Sequence, residues 1–180
     1  MENVIAVYCR SSEGVSTDGA IPRHVMNRLD TAKNLLSRLV RSHADDSLIK
    51  VILFTGSREE GEHYARLLPH EGVGVEECSS IADMAEKVLA MIGFYSKGRD
   101  EGNYAAKRVY FVLSKWQWQY IEPLLRLKDE RVRFFFEGAL DERSVEEIEA
   151  EMRMESRVRL RVENSFVDRL MGMLTSDLKG

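Results

Sequence analysis

Short apolar runs alternate with amphipathic stretches along most of this chain. Five runs predict buried strands, and they begin at Val4, Val51, Val73, Arg108 and Val132. Between them, apolar residues recur three or four positions apart, which is the spacing of a helix with one buried face. Strands separated by segments of helix length predict βαβ units, and uninterrupted apolar strands favour a parallel sheet covered on both faces. We therefore predict a Rossmann-like, doubly wound α/β fold with a mostly parallel sheet.

Two of the predicted helices begin with capping sequences. Ser57 precedes Glu60 by three residues, and Ser80 precedes Asp83 by the same number. A serine followed three residues later by an acidic residue is typical of an N-terminal capping box. The first helix has Pro22 near its start, where the fixed φ of proline is tolerated.

Three further elements are predicted after the fifth strand. They are an acidic helix over Asp141–Met154, an alternating edge strand over Arg157–Val162, and a closing helix over Phe166–Leu178. No linker rich in proline or glycine divides the chain, so we expect a single domain over residues 1–180.

Composition and charge argue against two classes of partner, nucleic acids and membranes, and indicate a cellular compartment. The formal net charge of −4 gives no broad basic field, so we expect no nucleic-acid partner. No run of about 20 apolar residues is present, and the start lacks the pattern of a signal peptide, so we expect no membrane partner. Two cysteines cannot make a disulfide framework, which favours the reducing cytoplasm.

The candidate chemistry lies in the loops that follow the strands, because ligands of open α/β sheets bind beyond the carboxyl ends of the strands. Arg28 is the most informative charge, since a guanidinium early in the first helix can reach this edge and hold a carboxylate or phosphate. A purely structural pairing with Glu62 or Glu77 is the alternative. Backbone N–H groups at Ser57 and Ser80 can attract an anion, or they are ordinary helix caps.

Other residues at this edge leave two interpretations open. Trp116 and Trp118 follow the fourth strand, and either can stack on a base or pack into the core. Cys9 and Cys78 each lie at the end of a predicted strand. They can be buried structural thiols, or they can act as a reactive pair. The sequence contains no phosphate loop, and its four histidines are not spaced as a metal pair, so we predict no metal site.

Taken in order, these segments resemble the SanA-, ElyC- and YdcF-like proteins, a family of poorly defined activity. The resemblance covers residues 4–127 and leaves 128–180 as a C-terminal extension. Its blocks are VIAVYCRSSEG followed by Arg28, then ILFTGS followed by Glu62. The next is EECSSIADMAEKVL with Glu77 and Ser80, and the last is VYFVLSKWQWQYIEPLL.

This resemblance implies a Rossmann-like fold with a polar pocket that contains Arg28, Glu62, Glu77 and Ser80. It also implies a ligand similar to S-adenosylmethionine or a nucleotide. The chain departs from the family pattern where Cys9, Arg10 and Ser11 replace glycines and Ser57 replaces the second glycine of Ser-Gly-Gly. The family's histidine and arginine correspond to Gln117 and to Gln119 or Tyr120, which do not titrate near neutral pH. The departures imply a divergent, catalytically silent relative.

Our leading hypothesis is a cytoplasmic small-molecule-binding domain with a pocket at the carboxyl edge of the sheet. The predicted ligand-binding residues are Arg28, Gly56, Ser57, Glu62, Glu77, Ser80, Ser114, Trp116 and Gln117. The cofactor is unknown, with S-adenosylmethionine or a nucleotide as the candidates. A second hypothesis is a hydrolase or transferase that acts on a phosphate ester or nucleotide-linked substrate, with Glu62 or Glu77 as the base. A third is a protein-interaction module, including a homodimer paired through the 157–162 strand.

Overall fold

The computed structural model describes residues 2–10, 20–42, 49–92, 107–125 and 132–157. The strands are β1 (Glu2–Tyr8), β2 (Ile49–Thr55), β3 (Val73–Glu77), β4 (Lys107–Leu113) and β5 (Val132–Gly138). The helices are α1 (Arg23–Ser42), α2 (Arg58–Ala65), α3 (Ile81–Met91), α4 (Lys115–Leu125) and α5 (145–157). The chain divides into two compact units, Met1–Glu142 and Arg143–Gly180.

The first unit is built on a five-stranded sheet with the order β3-β2-β1-β4-β5. All four neighbouring pairs are parallel. The chain adds strands outward from β1 to β3, then crosses to the other side of β1 for β4 and β5. The strand order therefore reverses between β1 and β4, and this reversal is where open α/β sheets form their ligand crevice.

Helices cover both faces of the sheet, as the apolar strands predict. Along β1, Ile5 and Val7 point to one face, where α1 and α2 contribute Leu29 and Tyr64 to the core. Ala6 and Tyr8 point to the other face, which α3 and α4 cover. Because side chains alternate along a strand, a central strand with both faces covered needs apolar residues at nearly every position. The predicted doubly wound α/β fold is thus confirmed.

Both predicted serine caps form, but without the reciprocal hydrogen bond of a capping box, since Glu60 accepts from Tyr64 and Asp83 accepts from Ser79. The Ser57 hydroxyl accepts a hydrogen bond from the Glu60 amide at 3.3 Å, and the Ser80 hydroxyl accepts from the Asp83 amide at 3.0 Å. Each serine has an extended backbone, which is the conformation of an N-cap residue. These hydrogen bonds fix where α2 and α3 begin, directly after the carboxyl ends of β2 and β3.

The second unit differs from the prediction at both ends of its helix. The predicted start at Asp141 is wrong, because α5 begins at residue 145 after a capping box. Ser144 and Glu147 each accept a hydrogen bond from the other's backbone amide, at 3.3 and 2.7 Å. The predicted strand start at Arg157 is also wrong, since that residue still belongs to the helix. The rest of that strand and the Phe166–Leu178 helix lie outside the described residues.

Within the described parts of the chain, no helix combines the length and the apolar character that crossing a membrane requires. The longest, α1, carries charged residues such as Arg38 on its outer side.

Candidate functional site

A buried arginine lies at the point where the strand order reverses. The Arg28 side chain has no exposed surface, although it carries a full positive charge. It donates hydrogen bonds to the Tyr8 carbonyl at 3.0 Å and to the Ser114 hydroxyl at 3.1 Å. Its guanidinium lies 3.6 Å from the Asp141 carboxylate and 5.6 Å from the centre of the Tyr8 ring. Burial of a charge is tolerated when such partners surround it.

Asp141 is the anion of this site, and it joins two further side chains to the arginine. It accepts a hydrogen bond from the Ser114 hydroxyl at 2.7 Å and from the Trp116 indole at 3.3 Å. Only 8% of its side chain is exposed. The carboxylate therefore balances the charge of Arg28 and fixes the orientation of Trp116, whose ring remains half-buried.

The loop that carries Asp141 is held in place from two sides. The Ala139 amide donates to the Leu113 carbonyl at 2.8 Å, which extends the β4–β5 pairing beyond the end of β5. The Asn27 side chain, one residue before Arg28, donates to the Leu140 carbonyl at 3.1 Å. Helix α1 and strand β4 together thus position the carboxylate.

Gln117 supports the same region from the first turn of α4. Its side-chain oxygen accepts from the Ser114 amide at 3.1 Å, which is the reciprocal half of a capping interaction. The side chain is fully buried, and its Nε2 has no hydrogen-bond partner among the residues that the structure describes. An unpartnered buried amide donor costs about 1–3 kcal/mol relative to a satisfied one. A bound group that accepts from Nε2 would therefore be favoured here.

We refer to Arg28, Ser114, Trp116, Gln117 and Asp141 as the switch-point cluster. Sequence reasoning selected four of these residues, and the structure brings all four together. The fifth residue is Asp141, which the sequence pattern places at the start of the acidic helix instead of in the site. Its position just after the end of β5 is the signal that identifies it, because that loop opens at the carboxyl edge.

The other five predicted residues lie on the far side of β1, and we refer to them as the outer-edge group. This group consists of Gly56, Ser57, Glu62, Glu77 and Ser80. Glu62 accepts a hydrogen bond from the Arg58 guanidinium at 3.0 Å, and Glu77 accepts from the Arg58 backbone amide at 3.1 Å. Neither glutamate pairs with Arg28. Both the structural pairing proposed for Arg28 and its orientation by these glutamates are therefore wrong.

The helix starts in the outer-edge group already have protein acceptors. At the start of α2, the side chains of Ser57 and Glu77 accept hydrogen bonds from backbone amides. At the start of α3, the Ser80 hydroxyl does the same. Asp83 accepts further hydrogen bonds from the Ser79 amide and hydroxyl, at 2.7 and 3.0 Å. These carboxylates also complement the positive ends of the helix dipoles. The arrangement agrees with ordinary helix caps.

Burial changes the pKa of two side chains in this part of the molecule, the Cys9 thiol and the Tyr64 hydroxyl. Burial raises the pKa of the Cys9 thiol to about 12, although the charge of Arg28 acts in the opposite direction. Burial also raises the pKa of the Tyr64 hydroxyl, and the nearby Glu60 carboxylate adds to the shift. Cys9 and Cys78 are both free and buried. A thiol held neutral at physiological pH is a poor nucleophile, so Cys9 fits a structural thiol.

The second tryptophan belongs to the core. Trp118 stacks on Phe136 with 5.5 Å between ring centres and lies at an angle to Phe111. Since Trp118 packs between β4 and β5 aromatics, Trp116 is the tryptophan that remains for stacking on a ligand.

Two cavities lie toward the opposite, amino-terminal edge of the sheet. One of about 720 Å³ lies beside the first residues of β2 and the turn that contains His70. The other, of about 250 Å³, lies beside the Lys50–Glu2 ion pair and the end of α3. None of the nine predicted site residues lines either cavity. The described residues contain no cluster of histidine, cysteine or acidic side chains that fits a metal ion.

Comparison with known proteins gives this chain no relative. No protein-family model matches it, no curated protein matches it, and no solved structure matches it. Membership of the SanA-, ElyC- and YdcF-like family therefore stays a prediction, and the site must be interpreted from its own geometry.

Proposed function

We propose that this protein binds a small molecule, a nucleotide or an adenosyl compound, beside the switch-point cluster. The observation that carries the proposal is the convergence of polar side chains from α1, α4 and the loop after β5 at the strand reversal. Polar groups gathered at this point of an open α/β sheet are the usual form of a ligand site in such folds. The buried free thiols fit a reducing cytoplasm as its location.

Trp116 is the proposed stacking surface. Its indole nitrogen donates a hydrogen bond to Asp141, which fixes the orientation of the ring, and the residue is only half-buried. An oriented aromatic ring stacks on an adenine or another base at a low entropic cost. The unpartnered Nε2 of Gln117 is a donor for a ring nitrogen or carbonyl of the same ligand.

Arg28 is a positioning residue in this proposal. Its side chain is buried and surrounded by protein partners, so it holds Asp141 and Ser114 in place and through Asp141 holds Trp116. The direct clamp on an anionic ligand group that the sequence suggests is not required. Loss of Arg28 would therefore affect binding through the orientation of Trp116.

A thermal-shift screen tests the proposal, with S-adenosylmethionine, nucleotides, dinucleotides and sugar phosphates as ligands. A ligand at 100 times its dissociation constant adds about 2.7 kcal/mol of stability, which raises the Tm of a chain this size by about 5–10 °C. We expect one class to produce such a shift, and Trp116→Ala to remove it.

Gln117 and Gln119 provide a matched pair for the same screen. They lie two residues apart in α4, but Gln117 is buried at the site and Gln119 is exposed. We expect Gln117→Ala to weaken ligand binding and Gln119→Ala to leave it unchanged. A ligand shift that survives in both Trp116→Ala and Gln117→Ala would place the ligand elsewhere.

A protein-interaction module is the second candidate function, and the surface of α5 favours it. This helix leaves Val145 67% exposed and Met152 41% exposed, two turns apart on one face, while it buries Glu151 and Glu155. Exposed apolar side chains on a helix are typical of a partner surface. Light scattering tests this function, because self-association through this face of α5 gives a dimer mass that Val145→Lys with Met152→Lys reduces to that of a monomer. A monomer mass for the unmodified chain would argue against a homodimer.

A further inference from the structure

Gly56 lies just beyond the carboxyl end of β2, beside two oppositely charged side chains that sequence reasoning did not select as binding residues. A Cβ placed on Gly56 would lie 3.2 Å from Glu60 Oε2 and 3.7 Å from Arg10 Cγ, with Arg10 Nε at 3.9 Å. A carboxylate and a guanidinium therefore flank the same glycine. We refer to Arg10, Gly56 and Glu60 as the Gly56 notch.

Arg10 differs from the other arginines at this edge. It follows the buried end of β1 and is half-buried, and no described residue gives it a hydrogen bond or an ion pair. By contrast, Arg28 is surrounded by partners, and Arg58 pairs with Glu62. A guanidinium presents a fork of donors that matches a carboxylate or phosphate group. Among the arginines of the described residues at this edge, Arg10 is thus one whose guanidinium is available to a ligand.

Glu60 is the complementary group on the other side of the glycine. It is 8% exposed, and its Oε1 accepts from the Tyr64 hydroxyl at 3.5 Å, a long hydrogen bond. Its Oε2, the atom that faces Gly56, accepts none from the described residues. Arg10 and Glu60 form no ion pair with each other. A nearly buried carboxylate with so few donors favours a cationic or hydrogen-bonding partner.

These charges select the chemistry of a ligand group. A phosphate would interact well with Arg10 but would be repelled by Glu60 across the glycine. A zwitterion satisfies both, because its carboxylate meets the guanidinium and its ammonium meets the carboxylate. Gly56 keeps side-chain atoms away from both groups, since a Cβ at this position would lie 3.2 Å from Glu60 Oε2 and 3.7 Å from Arg10 Cγ.

We propose that the Gly56 notch binds the α-amino acid head group of the ligand, with Arg10 on the carboxylate and Glu60 on the ammonium. The inference rests on the proposed function, because it assigns a second part of the ligand at the same edge of the sheet. Among the proposed ligand classes it selects an adenosyl compound with an amino acid end over a phosphate-bearing nucleotide.

Calorimetric titration with three probes tests the assignment. S-adenosylmethionine carries the head group, methylthioadenosine has the same nucleoside without it, and ADP carries phosphates instead. We expect S-adenosylmethionine to bind the unmodified protein most tightly. Arg10→Ala and Glu60→Gln should each weaken its binding at least tenfold and leave methylthioadenosine unchanged. Arg58→Ala removes a neighbouring arginine that is committed to Glu62, and we expect it to change neither affinity.

The outcomes separate the two proposals. If methylthioadenosine binds and Arg10→Ala leaves the affinity for S-adenosylmethionine unchanged, the notch assignment is wrong and the proposed function stands. If ADP binds more tightly than S-adenosylmethionine, the zwitterion assignment is wrong as well. If none of the three probes binds, both the notch assignment and the adenosyl ligand are overturned. The Tm of each variant, measured without ligand, verifies that it is folded.

Discussion

The carboxyl edge of this sheet contains two polar regions that are built in opposite ways. The switch-point cluster is buried and joins residues far apart in the sequence, such as Arg28 and Ser114, which are 86 positions apart. The outer-edge group is mostly exposed, and many of its contacts are local, such as Arg58 with Glu62 four residues later. Arginine and acidic residues therefore form buried long-range contacts on one side of β1 and exposed local contacts on the other.

Burial explains the difference between the two regions. An exposed ion pair contributes about 0–1 kcal/mol, because water solvates the separated charges almost as well. A buried charge that loses its partner has no such compensation. Loss of Arg28 should therefore destabilise the whole sheet, whereas loss of Arg58 should affect only the start of α2. A ligand site needs rigid walls, and the buried cluster provides them.

The largest predicted effect is the loss of the buried arginine. Arg28→Ala leaves the Asp141 carboxylate buried and removes the donor to the Tyr8 carbonyl. We expect the free energy of unfolding to fall by about 3–5 kcal/mol, the usual cost of breaking a buried pair on one side. Equilibrium urea denaturation measures the change.

Two companion variants sharpen this result. Arg58→Ala should cost no more than about 0–1 kcal/mol, since its side chain is 79% exposed. Arg28→Met combined with Asp141→Leu removes both charges and should recover much of the stability, because no uncompensated charge remains. Equal losses for Arg28→Ala and Arg58→Ala would show that burial does not separate the two regions.

The second prediction concerns the tightest packing of the outer edge. A Cβ on Gly61 would lie 2.1 Å from Val75 Cγ1 and 2.9 Å from Thr55 Oγ1, so α2 would have to move away from β2 and β3. Gly61→Ala normally favours a helix, but here we expect a loss of about 1–3 kcal/mol from overpacking. The midpoint of urea denaturation reports it.

Gly74→Ala is the control for this substitution. At that position the nearest atom to a Cβ is the Val51 carbonyl oxygen at 3.8 Å, an ordinary contact. We expect a change within about 0.5 kcal/mol. If Gly61→Ala were as harmless as Gly74→Ala, α2 would have room to move away from β2 and β3 at no cost in stability.

The fold was largely predictable because its signals are local. Continuous apolar runs identify the strands to within two or three residues, and the serine caps identify the starts of α2 and α3. The start of α5 was missed, although Ser144 and Glu147 have the same capping spacing as the two helices that were found. The strand order depends on pairing between distant segments, which no local pattern encodes.

The candidate site was only partly predictable for the same reason. Its residues follow strands, so the loops could be selected from the sequence, but their pairing depends on the strand order. With β4 beside β1, Arg28 meets Ser114 and Asp141 instead of Glu62 and Glu77. The charges of the Gly56 notch were missed because Arg10 and Glu60 belong to segments 50 residues apart, joined by the β1–β2 pairing.

The third prediction concerns Cys9 and the dependence of the free energy of unfolding on pH. The folded pKa of Cys9 is about 12 and its ordinary value is 9.0, so unfolded Cys9 releases a proton that folded Cys9 keeps. This contribution to stability is complete below pH 9 and is lost as pH rises toward 12, by up to about 1.4 kcal/mol per pH unit. Urea denaturation at pH 8 and pH 10 measures the loss.

Cys9→Ala isolates the contribution of the thiol. We expect this variant to be less stable at pH 8 but to lose less stability than the unmodified chain between pH 8 and pH 10. The same burial predicts that Cys9 reacts with thiol reagents only after unfolding. Equal pH slopes for the two proteins would mean that Cys9 is accessible and titrates normally.

The smallest predicted effect compares two caps of the outer-edge group. Ser57 and Ser80 make the same hydrogen bond to an amide three residues later, but Ser57 is exposed and Ser80 is fully buried. Water can replace the Ser57 hydroxyl, so Ser57→Ala should cost about 0.5 kcal/mol, and Ser80→Ala should cost about 1–2 kcal/mol. Urea midpoints of the two variants give the order directly. A larger loss at Ser57 than at Ser80 would show that burial does not decide how much each of these two caps contributes to stability.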